Sequence, residues 1–418
     1  MTVSLSDLTR TFARIGVLSF GGPAAQIALM HRILVDDRKW LTEKDYLGAL
    51  SFCMLLPGPE AMQLATWAGW RLRGTLGGLI AGLLFVLPGA AVIFALALLY
   101  VTYGDLPLVG TLFLGVQAVA VVIVVEALQK VSKRALHGVA HWVLAGLAFV
   151  AIFFFAVPFP VIVLAAGLYG ALMVSNADAT PALPVTVSAG RSLSTIVIGL
   201  AVWGLPVLAV DLLFNGTILT EIALFFSKLA VVTFGGAYAV LAYMAQDVVV
   251  QYGWLTPTEM MDGLGLAETT PGPLILVTQF VGTLAAFREG GYALAIAGGM
   301  MTLWVTFVPC FLWIFVGAPY IDWISAQPRL NGALRAITAA VVGVILNLSL
   351  WFALHVLFGS VATTQIGVLR LWLPDVATLN WSAIALIALS AVLLLRVHLA
   401  IGWVLGISAA AALVLAQI

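Results

Sequence analysis

The 418-residue chain carries 63% hydrophobic side chains and only 9% charged ones, with a mean hydropathy of +1.14, whereas soluble chains hold about a quarter charged residues. That composition belongs to an integral membrane protein. Eighteen basic residues balance eighteen acidic ones, so no net field gathers nucleic acid or an anionic bilayer surface, and two cysteines without a Cys/His cluster offer no disulfide framework, zinc site or iron–sulfur centre.

Along the chain, apolar windows of about 20 residues, enough to cross about 30 Å of hydrocarbon as helix, predict uninterrupted spans over residues 75–100, 106–128, 138–156, 158–175, 194–214, 292–317, 333–358, 380–395 and 399–416. The N-terminus lacks the basic start and short apolar core of a signal peptide, so targeting is expected from the helices themselves. Four further apolar segments are broken at their centres, by Phe20-Gly21-Gly22-Pro23, Pro57-Gly58-Pro59, Phe234-Gly235-Gly236 and Pro271-Gly272-Pro273. Proline removes a backbone donor and adjacent glycines weaken a helix, so the chain must kink or leave helical geometry there. Inside hydrocarbon such backbone is tolerated only where it is buried in protein or faces water.

The breaks recur. Phe12 to Pro59 lies on Phe226 to Pro273 at a constant offset of 214 without a gap, matching Phe20/Phe234, Gly21/Gly235, Gly22/Gly236, Met30/Met244, Trp40/Trp254 and the whole Pro-Gly-Pro. This periodicity predicts a tandem duplication: a first repeat over residues 1–175, a linker and connecting transmembrane helix over 176–214, and a second repeat over 215–418. If each broken segment is a re-entrant hairpin, and Arg14 and Lys228 within the segments are set aside, fourteen Lys and Arg residues collect on the N-terminal face and only Arg288 and Arg370 lie opposite, the split expected for a cytoplasmic N-terminus. Five crossings between the hairpin pairs would then invert the second copy. The expected fold is an all-α integral membrane protein of two inverted repeats, with broken or re-entrant helices near the bilayer midplane.

Inverted repeats with interrupted helices are a construction of secondary transporters, with the substrate between the copies. A short helix would begin after Gly21-Gly22-Pro23, after Pro57-Gly58-Pro59, after Gly235-Gly236 and after Pro271-Gly272-Pro273. Each start has unpaired N–H groups and about half a positive charge, and four of them converging would cradle a small oxyanion. Arg14 and Lys228, in equivalent columns, would add a cation from each copy, with an interfacial position as the alternative. Ser19 and Thr233 precede the Gly-Gly turns, and Gln63, Thr269 and Thr270 flank the Pro-Gly-Pro turns. Their polar groups would contact the ligand or bond back to their own helices. Glu60 and Glu268 are not equivalent; either would couple transport by taking up a proton, and Glu60 would alternatively cap its half-helix.

Other features carry less. His137 and His141 share a helix face without a third ligand, Gly263-Leu264-Gly265 lacks the rest of a dinucleotide fingerprint, and no Walker A loop is present. No cofactor is expected, and no Ser/His/Asp arrangement supports an enzyme. Trp40, Trp254, Trp323, Trp372 and Trp381 read as interfacial anchors. A passive anion channel remains an alternative to a carrier.

The run Phe12-Ala13-Arg14-Ile15-Gly16-Val17-Leu18-Ser19-Phe20-Gly21-Gly22-Pro23, the later Leu56-Pro57-Gly58-Pro59-Glu60 with Gln63, and their second-half counterparts resemble the chromate ion transporter family in its long, two-domain form. The resemblance implies chromate export across the bacterial inner membrane by ion-gradient coupling. It maps the family's motif onto Arg14, Ser19, Phe20, Gly21, Gly22, Pro23, Pro57, Gly58, Pro59, Glu60 and Gln63. The second copy departs at Ala237, opposite Pro23, and at Leu274, opposite Glu60. Chromate and sulfate are tetrahedral dianions of similar size, so a sulfate or other oxyanion permease is the alternative. A homodimer is compatible with this architecture, although no contact surface is readable.

Overall fold

The computed structural model describes residues 3–104, 106–174, 189–214, 216–234 and 236–417. Its helices are α1 (Leu5–Leu18), α2 (Gly22–His31), α3 (Glu43–Cys53), α4 (Glu60–Tyr103), α5 (Pro107–Ala135), α6 (Val139–Phe155), α7 (Phe159–Met173) and α8 (Ala189–Phe214). There follow α9 (Ile218–Val232), α10 (Ala237–Gln246), α11 (Pro257–Thr269), α12 (Val277–Gly317), α13 (Ile321–Ser325), α14 (Pro328–Leu357), α15 (Trp381–Ala391) and α16 (Ile401–Leu415). The chain is an all-α membrane protein to which one hairpin, β1 (Val361–Ile366) and β2 (Leu369–Pro374), is added between α14 and α15. That hairpin was not foreseen; Gly367, at φ 63°, makes its turn. The larger part of the polar stretch Ser175 to Ser194 lies outside the described residues.

Five helical stretches are long and apolar enough to cross a membrane by length and composition: Glu60–Tyr103, Pro107–Ala135, Gly190–Leu213, Leu274–Tyr320 and Pro328–Leu357. Of the other four expected spans, three are shorter than predicted, and α15 with its continuation matches the length expected over 380–395. α6, α7 and α16 have 17, 15 and 15 residues, or about 25 Å at most, and α15 is continued by a wider helical turn to Arg396. Hydropathy windows count apolar turn residues as helix: Ala156, at φ 52°, ends α6 in the left-handed region two residues before Pro158.

α4 and α12 are each two antiparallel limbs. α4 turns back at Arg73 (φ −141°, ψ 26°) and Gly74 (φ 64°, ψ −158°), and α12 turns at Gly290 (φ −159°, ψ 23°) and Gly291 (φ 69°, ψ −158°). The limbs of α4 touch backbone to backbone, since a Cβ on Gly69 or on Gly77 would collide with the other's carbonyl oxygen. Glu60 to the turn is therefore a short limb of about 20 Å, less than a full crossing.

The described chain forms two compact units. The first comprises Met1–Leu98, Val174–Ala237 and Thr270–Asn331, and the second comprises Leu99–Met173, Tyr238–Thr269 and Gly332–Ile418. Each draws on both halves of the sequence. In the first unit, Leu8, Phe12 and Ile15 of α1 are buried at helical spacing, and Gly16 packs against the backbone of Leu84. α8 instead exposes Leu193, Ile198, Leu205, Leu208 and Leu212, the surface of a helix facing lipid. In the second unit, Val119, Val122 and Ile123 of α5 form a core with Leu394, Val404 and Leu405. Ser390 and Ser408 share a buried hydroxyl hydrogen bond of 2.9 Å there.

Candidate functional site

The site is built from the four breaks, which lie in the first unit. α1 ends at Ser19, and the chain reverses through Gly21 (φ 86°) and Gly22 (φ 78°) before α2 starts with Pro23 in its first turn. Fixed φ and a missing N–H suit proline to that position. The Pro-Gly-Pro breaks place Gly58 at φ 117° and Gly272 at φ 89°, conformations that favour glycine.

Two reciprocal hydrogen bonds tie these breaks together. The Gly58 N–H donates to the Thr233 carbonyl at 3.0 Å, and the Gly272 N–H donates to the Ser19 carbonyl at 2.8 Å. The Phe-Gly-Gly break of each half is thereby joined to the Pro-Gly-Pro break of the other. Gln26, 1% exposed on α2, reinforces the second junction, because its Nε2 donates to the Gly272 carbonyl at 2.6 Å and to the Ser19 carbonyl at 3.3 Å. Gln63 Nε2 donates to the Pro57 carbonyl at 2.7 Å. Carbonyls freed by the breaks are thus satisfied inside the protein, as an apolar medium demands.

Immediately beside these junctions lies a cavity. α2 contributes Pro23 and Gln26, α4 contributes Pro59, Glu60 and Ala61, α10 contributes Gly236 and Ala237, and the turn leading into α12 contributes Pro273 and Leu274. Every one of these residues belongs to a helix start. α2 and the turn at Leu274–Leu276 begin without a side-chain cap, which leaves their first N–H groups for another acceptor. The polar side chains of the lining are Gln26 and Glu60, both from the first half. Gln26 Oε1 is buried with no hydrogen-bond partner among the described residues.

The family model described as "Chromate transporter" matches residues 6–171 and 220–414. The chain belongs to the chromate transporter family. A chromate transport protein of Pseudomonas aeruginosa is 35% identical over 354 residues, covering 82% of this chain and 80% of that protein. A probable chromate transport protein of Synechococcus elongatus is 31% identical over 343 residues, 82% of this chain and 83% of its own, and one of Cupriavidus metallidurans is 30% identical over 353 residues, 82% and 81%. No solved structure matches.

Within this member of the chromate transporter family, not every motif residue reaches the cavity. Arg14 and Lys228 are exposed on α1 and α9 and are absent from the lining, so the cations expected at the site are not among its walls. Phe20 and Gly21 are also exposed outside it. The hydroxyls of Ser19, Thr233 and Thr269 donate to the carbonyls of Ile15, Leu229 and Leu266 in their own helices, the back-bonding alternative to ligand contact. Pro57 is half-buried, Thr270 and Pro271 are buried, and the Pro271 carbonyl packs on Gly89. Gly235 lies outside the described residues.

Glu268 belongs to the second unit, where it is 5% exposed and accepts a hydrogen bond of 2.9 Å from the Tyr238 hydroxyl. Asp262, 3% exposed on the same helix, lies in no motif that would mark it. It accepts hydrogen bonds from the Tyr100 hydroxyl at 2.6 Å and from Gln117 Nε2 at 2.7 Å. Asp262→Leu leaves both donors without this acceptor in an apolar bundle, at about 1–3 kcal/mol each. The expected result is a clearly lower thermal unfolding midpoint in detergent. An unchanged midpoint would mean that water satisfies both donors.

Proposed function

We propose that the chain is a secondary transporter that exports chromate from the bacterial cytoplasm, binding the dianion at the cavity of the first unit. One observation carries this reading: the starts of α2, α4, α10 and the turn before α12 converge on a single cavity. Helix starts present N–H groups and partial positive charge, and those of α2 and the turn before α12 have no side-chain cap, which suits a tetrahedral oxyanion without a formal cation in the wall. The chromate transport proteins named above favour chromate as the substrate. The recurrence of α1 to α4 in α9 to α12 at the offset of 214 supports two copies of one repeat, and the five crossings expected between the hairpin pairs would set them in opposite orientation. The excess of Lys and Arg on one face of the re-entrant topology supports a cytoplasmic N-terminus in the inner membrane.

Glu60 gives the cavity its second property. A carboxylate beside an anion is repulsive unless it holds a proton, so proton uptake at Glu60 and anion binding favour one another. Glu60→Gln mimics the protonated form. It is expected to retain chromate exchange at equal pH while losing acceleration by an imposed pH gradient. Gradient-driven uptake at the wild-type rate would remove Glu60 from coupling and leave it as a helix cap.

Proteoliposomes holding the purified chain test the reading directly. Chromate accumulation against its own gradient, inhibited by excess sulfate, is the expected result. Flux that only dissipates a gradient would make the protein a channel, and sulfate flux without chromate flux would make it a sulfate permease.

A further inference from the structure

A second cavity lies wholly within the second unit and plays no part in the site above. Its polar walls are Arg370 and Trp372 on β2, Asn347 on α14 and Gln246 at the end of α10, with the Trp351 ring beside them. No carboxylate is present in this lining. Arg370 Nε and Trp372 Nε1 are buried and have no hydrogen-bond partner among the described residues. Two strong donors at this cavity therefore lack an acceptor within hydrogen-bond distance, which is costly unless something occupies the space.

The surroundings hold both donors in place. The Arg370 guanidinium lies 5.1 Å from the centre of the Trp372 ring, and its Nη2 donates to the Ile152 carbonyl at 3.4 Å. His355 stands edge-on to Trp372 at 5.8 Å and packs on Trp351 at 4.4 Å. Trp372, expected from the sequence as an interfacial anchor, is thus a wall of this cavity. Burial pulls the Arg370 guanidinium below its ordinary range, a penalty that a bound anion offsets. On the re-entrant topology Arg370 is also one of two basic residues opposite the N-terminal face, where the orientation rule disfavours them.

The geometry points to a second oxyanion site, in which Arg370 Nε–H and Trp372 Nε1–H hold a tetrahedral anion and the amides of Gln246 and Asn347 supply further donors. A guanidinium edge matches two oxygens of such an anion. The same chemistry is offered by a free inorganic dianion and by a phospholipid phosphate. The site goes beyond the transport reading and rests on it only for the identity of the natural ligand.

The test measures radiolabelled sulfate binding to the purified full-length protein by equilibrium dialysis, with chromate uptake measured on the same preparations. Native mass spectrometry of wild type and variants follows retained phospholipid. Arg370→Gln is expected to weaken one class of sulfate site about 10- to 100-fold, as loss of a hydrogen bond from a charged group does. Trp372→Phe keeps the ring but lacks the N–H, and a loss of about 3- to 10-fold is expected. A phospholipid retained by wild type and released by Arg370→Gln would assign the site to lipid phosphate. If neither sulfate nor phospholipid distinguishes the variants from wild type, the site is refuted, and Trp372→Phe decides should Arg370→Gln not elute as folded protein. Absent chromate uptake by wild type would instead overturn the transport reading and leave the sulfate result standing.

Discussion

Gly58→Ala is expected to abolish chromate uptake and to destabilise the protein by about 2–6 kcal/mol. Gly58 sits at φ 117°, and a Cβ there would meet Cys310 Sγ and Gln63 Nε2, each at 2.9 Å. Its N–H also makes one of the two backbone bonds that tie the breaks together, to the Thr233 carbonyl at 3.0 Å. Relieving the clash must move Gln63, whose amide satisfies the Pro57 carbonyl, so strain at one methyl spreads to the whole break. Gly272→Ala shares the backbone strain, at φ 89°, but its Cβ would meet first the mobile end of Leu276 at 3.2 Å, so a smaller loss is expected. Gly48→Ala is the control: this helical glycine has open space around its Cβ, and the change is expected to be neutral or stabilising by up to about 1 kcal/mol. Uptake rates and thermal unfolding midpoints check the order. Wild-type uptake by Gly58→Ala would show that the junction with Thr233 is dispensable.

The breaks and most helices were legible because they rest on local chemistry. Gly-Gly and Pro-Gly-Pro cannot continue a helix, and their spacing repeats at one offset, so the convergence of helix starts could be anticipated before Pro23, Pro59, Ala237 and Leu274 were seen lining one cavity. What stayed hidden depends on direction and depth. In a bilayer, lipid-facing and core-facing surfaces are both apolar, so periodicity does not say which face of α1 carries Arg14 inward; the fold leaves it exposed. Hydroxyls carry the same ambiguity, and Ser19 and Thr233 resolve it by bonding to their own helices. Gln26 had no motif to mark it. Its equivalent in the second copy is Val240, and its importance comes from a contact 246 residues away.

Gln26 links the junction of the breaks to the proposed transport site. Its amide reaches two carbonyls, Ser19 from the first half and Gly272 from the second, while its side chain lines the cavity. In Gln26→Leu the Ser19 carbonyl keeps the Gly272 N–H, but the Gly272 carbonyl loses its amide donor, at about 1–3 kcal/mol. A lower unfolding midpoint and strongly reduced uptake are expected, since the helix start at Pro273 is held through that carbonyl. Gln26→Glu is expected to be worse at neutral pH, because an ionised carboxylate would face two carbonyl oxygens and repel an anion in the cavity. Acidification should return part of its stability, as the protonated acid regains one donor, whereas Gln26→Leu gains nothing in that comparison. Midpoints measured at neutral and acidic pH separate the two. If Gln26→Glu matches wild type at neutral pH, the amide does not join the halves, and the junction rests on the two backbone hydrogen bonds alone.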